Sequence, residues 1–132
     1  MRIQKIEVYQ IDLKGRRGGQ HVAGGRVFSE LDSTVVKIIT DTGAIGWGES
    51  VPWNSNYLPA FALGVRAGLE ELSPAILGSD PREIGRIIEI MDATLYGHPY
   101  VKTAIDMACW DLLGKTTELP LYTLLGGKLS PN

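Results

Sequence analysis

The hydrophobic pattern changes its period near the middle of this 132-residue chain, and that switch restricts the fold more than any other feature. Up to about residue 51, β-branched and aromatic residues gather in runs with strand-like alternation, at Ile3 to Leu13, Ser33 to Thr40 and Ala44 to Val51. From Leu58 onward, apolar residues recur every three to four positions, as on one face of a helix. Strands grouped first and helices grouped second imply an α+β fold, a three-stranded antiparallel β-meander followed by a helical bundle. The expected division is 1–52 for the meander and 53–127 for the bundle.

Local signals refine this outline. Asp41-Thr42-Gly43 predicts a tight hairpin between the second and third strands, with Gly43 at a positive φ. In the first strand the apolar phase passes from Ile6 and Val8 to Tyr9, Ile11 and Leu13, which predicts a bulge or strong twist there. Lys14 to Val27 carries glycines at 15, 18, 19, 24 and 25 and few apolar anchors, and is expected to be a mobile surface loop.

A first helix is predicted from the spacing of Leu58, Phe61, Ala62, Val65, Leu69 and Leu72, with Asn56 as candidate cap and a break at Ser73-Pro74 and Gly78. Asp80-Pro81-Arg82-Glu83 has the form of a capping box opening a second helix, with Ile84, Ile87, Ile88, Met91 and Leu95 on one side and Gly97 at its end. A third helix, roughly Tyr100 to Thr117, has the widest apolar face and should be the central one. In it Lys102 and Asp106, and Asp111 and Lys115, stand at pairing distance. A short turn, Leu121 to Leu125, precedes Gly126-Gly127.

Composition matters mainly for what it excludes. A hydrophobic fraction of 44% against 21% charged residues does not match the signature of disorder. A formal charge of -2 gives no reason to expect nucleic acid or an anionic membrane surface as partner. No apolar run reaches membrane-spanning length, and charges at positions 2, 5 and 7 argue against a signal peptide. The single cysteine, Cys109, favours a reducing compartment, so a cytoplasmic location is expected.

Nucleotide motifs fail on inspection. Gly19 to Gly24 has P-loop spacing, but Gly25-Arg26 stand where Lys and Ser or Thr are required. Cys109, in the middle of an apolar helix, reads as a buried hydrophobe rather than a thiolate. His98 before Pro99 reads as a capping or packing group, and His21 in the glycine-rich segment as a surface histidine or a ligand contact. The acids are too scattered for a hard-cation site. Glu49 fits a hydrogen-bonded anchor for the following loop better than a catalytic group. That loop, Val51 to Tyr57, carries Trp53 and Tyr57 among turn formers, suited either to ligand contact or to packing under the first helix.

Three ordered motifs, STVVKIITDTGAIGWGE from Ser33 to Glu49, AIDMACWDLLGK from Ala104 to Lys115 and PLYTLLGG from Pro120 to Gly127, resemble the amino-terminal domain of the mandelate racemase and muconate lactonizing enzyme group of the enolase superfamily. Within that group, YLPAFALGVR from Tyr57 to Arg66 and GHPYVK from Gly97 to Lys102 resemble the hydroxyproline dehydratase and proline-betaine epimerase branch.

The resemblance implies an enolase N-terminal-like capping domain seated over a C-terminal TIM barrel that is absent from this chain, with 128–132 starting the connection to it. It also implies a homo-oligomer when full length, and a small carboxylate substrate. The implied reaction is abstraction of a proton alpha to the carboxylate, with Mg²⁺ stabilising the enediolate; racemisation or epimerisation returns the proton, and dehydration expels a β-hydroxyl. The acid/base residues and metal ligands belong to the barrel, so the expectation is no catalytic and no metal-binding residue here, and no activity from the chain alone. What carries over is substrate contact from two loops, by Tyr57 and Trp53 in one and His21 in the other. An aromatic at position 57 would face the ammonium of a cationic proline derivative. The competing reading is a stand-alone small-ligand-binding or interaction module without catalysis.

Overall fold

The computed structural model describes residues 1–15, 19–22, 25–53 and 57–130, with the backbone alone at 20–22. Its main sheet is antiparallel, in the order β1 (Ile3–Lys14), β4 (Glu30–Thr40), β5 (Ile45–Ser50). Between β1 and β4 a two-stranded ribbon intervenes, β2 (Gln20–Val22) paired with β3 (Arg26–Phe28). Among the described residues four helices follow, α1 (Ala62–Ile76), α2 (Ile84–Thr94), α3 (Pro99–Thr117) and the one-turn α4 (Leu121–Leu124). The α+β order read from the sequence is the observed one, and no helix among the described residues is long and apolar enough to cross a membrane.

Alternation along the strands decides which face carries the helices. Val36 and Ile38 of β4 are fully buried and pair with Gly48 and Gly46 of β5, whose Cα atoms face α3. Neither glycine can be replaced without moving backbone, because a Cβ at Gly48 would lie 1.9 Å from the Ala104 carbonyl oxygen and one at Gly46 would lie 2.2 Å from that of Ala108. The glycines of the strand and the small alanines of the helix therefore bring α3 directly against the sheet. Around that contact Ile105, Leu112 and Val101 of α3 join Val65, Leu69, Leu72 and Ile76 of α1 and Ile87 and Met91 of α2 in one buried cluster.

As the outer strand of the sheet, β5 has its free edge closed by helix side chains. Asp111 accepts the Trp47 N–H at 2.9 Å, and Lys115 donates to the Ile45 carbonyl at 3.0 Å while pairing with Asp111 at 2.6 Å. The expected i, i+4 pair thus forms and also satisfies strand backbone that would otherwise invite another strand. Lys102, in contrast, bonds Asp92 of α2 at 2.6 Å rather than Asp106, joining two helices instead of two turns of one.

The tertiary structure corrects several local expectations. The ladder between β1 and β4 is continuous from Lys5 to Lys14, and its register shift lies at Ile3/Lys5, not at Val8/Tyr9. The apolar phase changes without a bulge because β1 is an edge strand with half-exposed faces: Val8 is 40% and Ile11 43% exposed, so neither face enforces alternation. Part of the stretch expected to be a mobile loop, Lys14 to Val27, is the β2/β3 ribbon, which continues the β1/β4 ladder through a Gly15 N–H bond to the Ser29 carbonyl at 2.8 Å.

Helix α1 starts at Ala62, later than the apolar spacing implied, so that Leu58 and Phe61 are half exposed rather than core. The proposed cap Asn56 lies outside the described residues. Pro74 does not stop the helix but sits in its last turn, where a missing N–H forfeits one bond and Ile76 remains buried. Asp80 does not cap α2: its carboxylate holds the Arg82 backbone N–H at 3.0 Å and the Arg82 guanidinium at 2.7 and 2.9 Å, making a turn before the helix begins at Ile84. Arg82 draws the Asp80 carboxyl down to about 2. The hairpin has its predicted form, with Gly43 at φ +81°.

Candidate functional site

Two segments leave the same end of the sheet, the β2/β3 ribbon after β1 and the loop after β5. The loop is anchored at its root, since the Ser50 hydroxyl donates to the Tyr100 carbonyl at 2.5 Å. One strand position earlier, Glu49 accepts from the Ser33 hydroxyl at 2.5 Å, a bond that ties β5 to β4 rather than to the loop.

Three aromatic rings join the two segments. Phe28, at the end of β3 and 8% exposed, meets Trp53 edge to face with centroids 6.2 Å apart. Trp53 in turn meets Tyr57 at 6.1 Å with a 38° tilt. Both separations lie within the range in which aromatic quadrupoles attract. Tyr57, at the outer end, is 60% exposed and presents the accessible ring. Of the three residues expected to contact substrate, Trp53 and Tyr57 are therefore brought together. His21 pairs with Val27 in the ribbon, one register position from Phe28, and its side chain lies outside the described residues.

At the same end of the sheet, Arg66 of α1 clamps the start of β4. Its guanidinium bonds both oxygens of Asp32, at 2.7 and 2.8 Å, and the Thr34 hydroxyl at 3.1 Å. Asp32 stands directly across the ladder from Asp12, a like-charge pairing that Arg66 offsets. The guanidinium holds the Asp32 carboxyl below the usual carboxylate range. A shallow groove of about 290 Å³ adjoins this clamp, lined by Asp32, Leu31, Pro52, Phe61 and Leu63 among others.

Because Asp32 binds its proton less readily when folded, the clamp stabilises above the unfolded carboxylate pKa of about 4 and its contribution fades as pH falls through the lowered folded value. Replacing Arg66 by Ala is expected to cost about 1 kcal/mol at pH 7, the pair being partly exposed. Urea unfolding of the wild-type and R66A chains at pH 7 and pH 3 checks this, with the gap narrowing at the lower pH.

A larger groove of about 1000 Å³ runs along the opposite side of β5, between Trp47, Met107, Trp110, Leu119, Leu121 and Leu125. It shares no lining residue with the groove by the clamp. Met107 is 51% and Leu125 61% exposed, so the strip is apolar and open.

The remaining candidates are structural. Cys109 is fully buried and burial pushes its thiol up to about 12, which leaves no thiolate for chemistry. His98 makes no side-chain cap; it packs edge to face on Tyr100, with Nδ1 3.2 Å from the tyrosine hydroxyl. Among the described residues no three His, Cys, Asp or Glu side chains converge as a metal site would need.

Sequence reasoning missed Phe28 and the Asp32–Arg66 clamp. Phe28 was overlooked because it closes a stretch read as loop, although a lone aromatic after a glycine-rich segment is a signal for an anchor. The clamp spans 34 positions, and nothing local announces it.

Comparison with known proteins gives a consistent picture. Residues 5–126 match the family model for the mandelate racemase / muconate lactonizing enzyme N-terminal domain. The chain is 55% identical over 127 residues to a cis-3-hydroxy-L-proline dehydratase of Roseibium aggregatum, covering 96% of this chain and 35% of that enzyme. It is 37% identical over 128 residues to an N-succinyl-L-Arg/Lys racemase of Bacillus cereus, covering 97% and 34% respectively. A solved mandelate racemase/muconate lactonizing enzyme from Roseovarius nubinhibens superposes with a TM-score of 0.93 at 40% identity, over 98% of this chain and 35% of that one. The chain thus spans about a third of the length of each of these relatives.

Proposed function

Since the chain belongs to the N-terminal domain family of the mandelate racemases and muconate lactonizing enzymes, we propose that it caps the active site of an enzyme that abstracts a proton alpha to a carboxylate, with a hydroxyproline or proline betaine as substrate. The observation that carries this reading is the 55% identity to a cis-3-hydroxy-L-proline dehydratase over nearly the whole chain. Proton abstraction and Mg²⁺ binding would belong to a C-terminal barrel, and the metal, when bound there, supplies stabilisation of the enediolate. The apolar groove along β5, α3 and α4 supports a partner domain, because exposed apolar surface of this kind is what a docked domain covers.

The chain's own part is binding and orientation. Tyr57 offers an exposed ring face and Trp53 its half-buried support, a surface suited to an apolar ring or an ammonium group and able to keep water from a reacting carbon. Ser50 ties the root of the loop that carries Trp53 and Tyr57 to α3.

The test is a chimera in which this chain replaces the matching third of the Roseibium dehydratase. The chimera should dehydrate cis-3-hydroxy-L-proline, and Tyr57→Ala in it should raise KM about tenfold, as expected on losing one aromatic contact to a cation. The 132-residue chain alone should not exchange the α-proton of hydroxyproline or proline betaine in deuterium oxide. Exchange by the chain alone, or unchanged constants for Tyr57→Ala in the folded chimera, would overturn the reading.

A further inference from the structure

We propose that Phe28 is a positioning residue, which acts through Trp53 to fix the orientation of Tyr57 and so makes the ribbon and the loop present one aromatic surface. The proposal rests on the substrate-contact reading above for its functional meaning, but its physical content stands on three rings and their supports.

Phe28 is the fixed end of the series. It is 8% exposed, it pairs with Gln20 across the ribbon, and its own backbone carbonyl packs on Gly19, where φ is +81° and a Cβ would come within 3.0 Å of that oxygen. The left-handed backbone at Gly19, open to glycine and strained for other residues, lets the ribbon close tightly behind the ring. Tyr57 is the free end, 60% exposed, with Trp53 between them. Edge-to-face contact between Phe28 and Trp53, at 76° between planes, restricts the indole both in position and in rotation, because the favourable quadrupole geometry is lost when either ring turns. The indole in turn limits the orientations open to the phenol. A ligand-facing ring held by a neighbour loses less conformational freedom on binding than one that is free, and the gain appears in affinity.

The experiment uses the 132-residue chain labelled with 3-fluorotyrosine, whose Tyr57 resonance is assigned by Tyr57→Phe. Phe28→Ala should displace that resonance although the substituted ring meets Trp53 rather than Tyr57, and Phe28→Tyr, which keeps a ring in place and adds one resonance of its own, should restore it. In a Trp53→Ala background Phe28→Ala should produce no further displacement. A Tyr57 resonance that ignores Phe28→Ala, or that responds equally with Trp53 absent, overturns the proposal; thermal unfolding of each variant confirms that the readout comes from folded chain.

In the chimera, Phe28→Ala should raise KM about 3- to 10-fold with kcat unchanged, the range an aromatic pair supports. An unchanged KM for Phe28→Ala beside a raised KM for Tyr57→Ala defeats the positioning role alone. An unchanged KM for Tyr57→Ala defeats the substrate-contact reading, and the fluorine shifts then still decide whether Phe28 orients Tyr57.

Discussion

Gly48→Ala is expected to destabilise the chain by at least about 3 kcal/mol, whereas Gly85→Ala should stabilise it by about 0.5 to 1 kcal/mol, the same methyl group acting with opposite sign. At Gly48 the added Cβ would fall 1.9 Å from the Ala104 carbonyl oxygen and 2.8 Å from the Ala108 nitrogen. These are backbone atoms of the central helix and no rotamer change relieves them. The strand would have to retreat by roughly 1.5 Å to reach ordinary contact, opening the Val36 and Ile38 layer behind it. At Gly85, in α2, a Cβ meets nothing within 4 Å, so only the helix propensity and the smaller entropy of the unfolded chain remain. Urea unfolding of the two variants beside wild type measures both signs. A Gly48→Ala chain as stable as wild type would mean that α3 and β5 are not in close contact.

Ile105→Ala should cost about 3 kcal/mol and lower Tm by roughly 10 °C, while Met107→Ala, two positions along the same helix, should leave stability within about 0.5 kcal/mol of wild type. Ile105 is fully buried in the cluster that joins α1, α2, α3 and the sheet, so its truncation removes apolar contacts and leaves a cavity that close-packed neighbours cannot collapse into. Met107 is 51% exposed on the wall of the large groove, and its side chain loses little on truncation in the isolated chain. Calorimetric melting of the two variants distinguishes them. Equal losses would place Met107 in a covered interface, as self-association through the groove would produce.

Much of the fold was legible because its signals are local. The third helix was read as Tyr100 to Thr117 and is Pro99–Thr117, since a wide apolar face and an opening proline report directly on helix geometry. The hairpin at Asp41-Thr42-Gly43 was read equally well, because a positive φ at a tight turn selects glycine within the turn itself. Helix starts were read less well. Leu58 and Phe61 continue the spacing of α1 without belonging to it, and Asp80 bonds Arg82 in a turn that precedes α2. In the second case a pattern compatible with helix was answered by another local partner.

The candidate site was legible as residue types and loops rather than as an arrangement. Trp53 and Tyr57 were candidates because the family resemblance points to their loop, while as aromatics among turn formers they suit packing as well as a ligand; their contact with Phe28 depends on a ribbon that the glycines had disguised as loop.

By itself the sequence determined the α+β order, the Asp41-Thr42-Gly43 hairpin and the third helix, all of which follow from backbone preference and the period of nearby side chains. Its three motifs also determined the family resemblance. Only the tertiary structure decided that Gly46 and Gly48 serve a strand-to-helix contact, that Arg66 offsets Asp32 and Asp12, and that Phe28 reaches Tyr57 through Trp53. Each of these joins residues from separate elements, and such contacts form only once the whole chain has closed on its core, where distance through space replaces distance along the sequence.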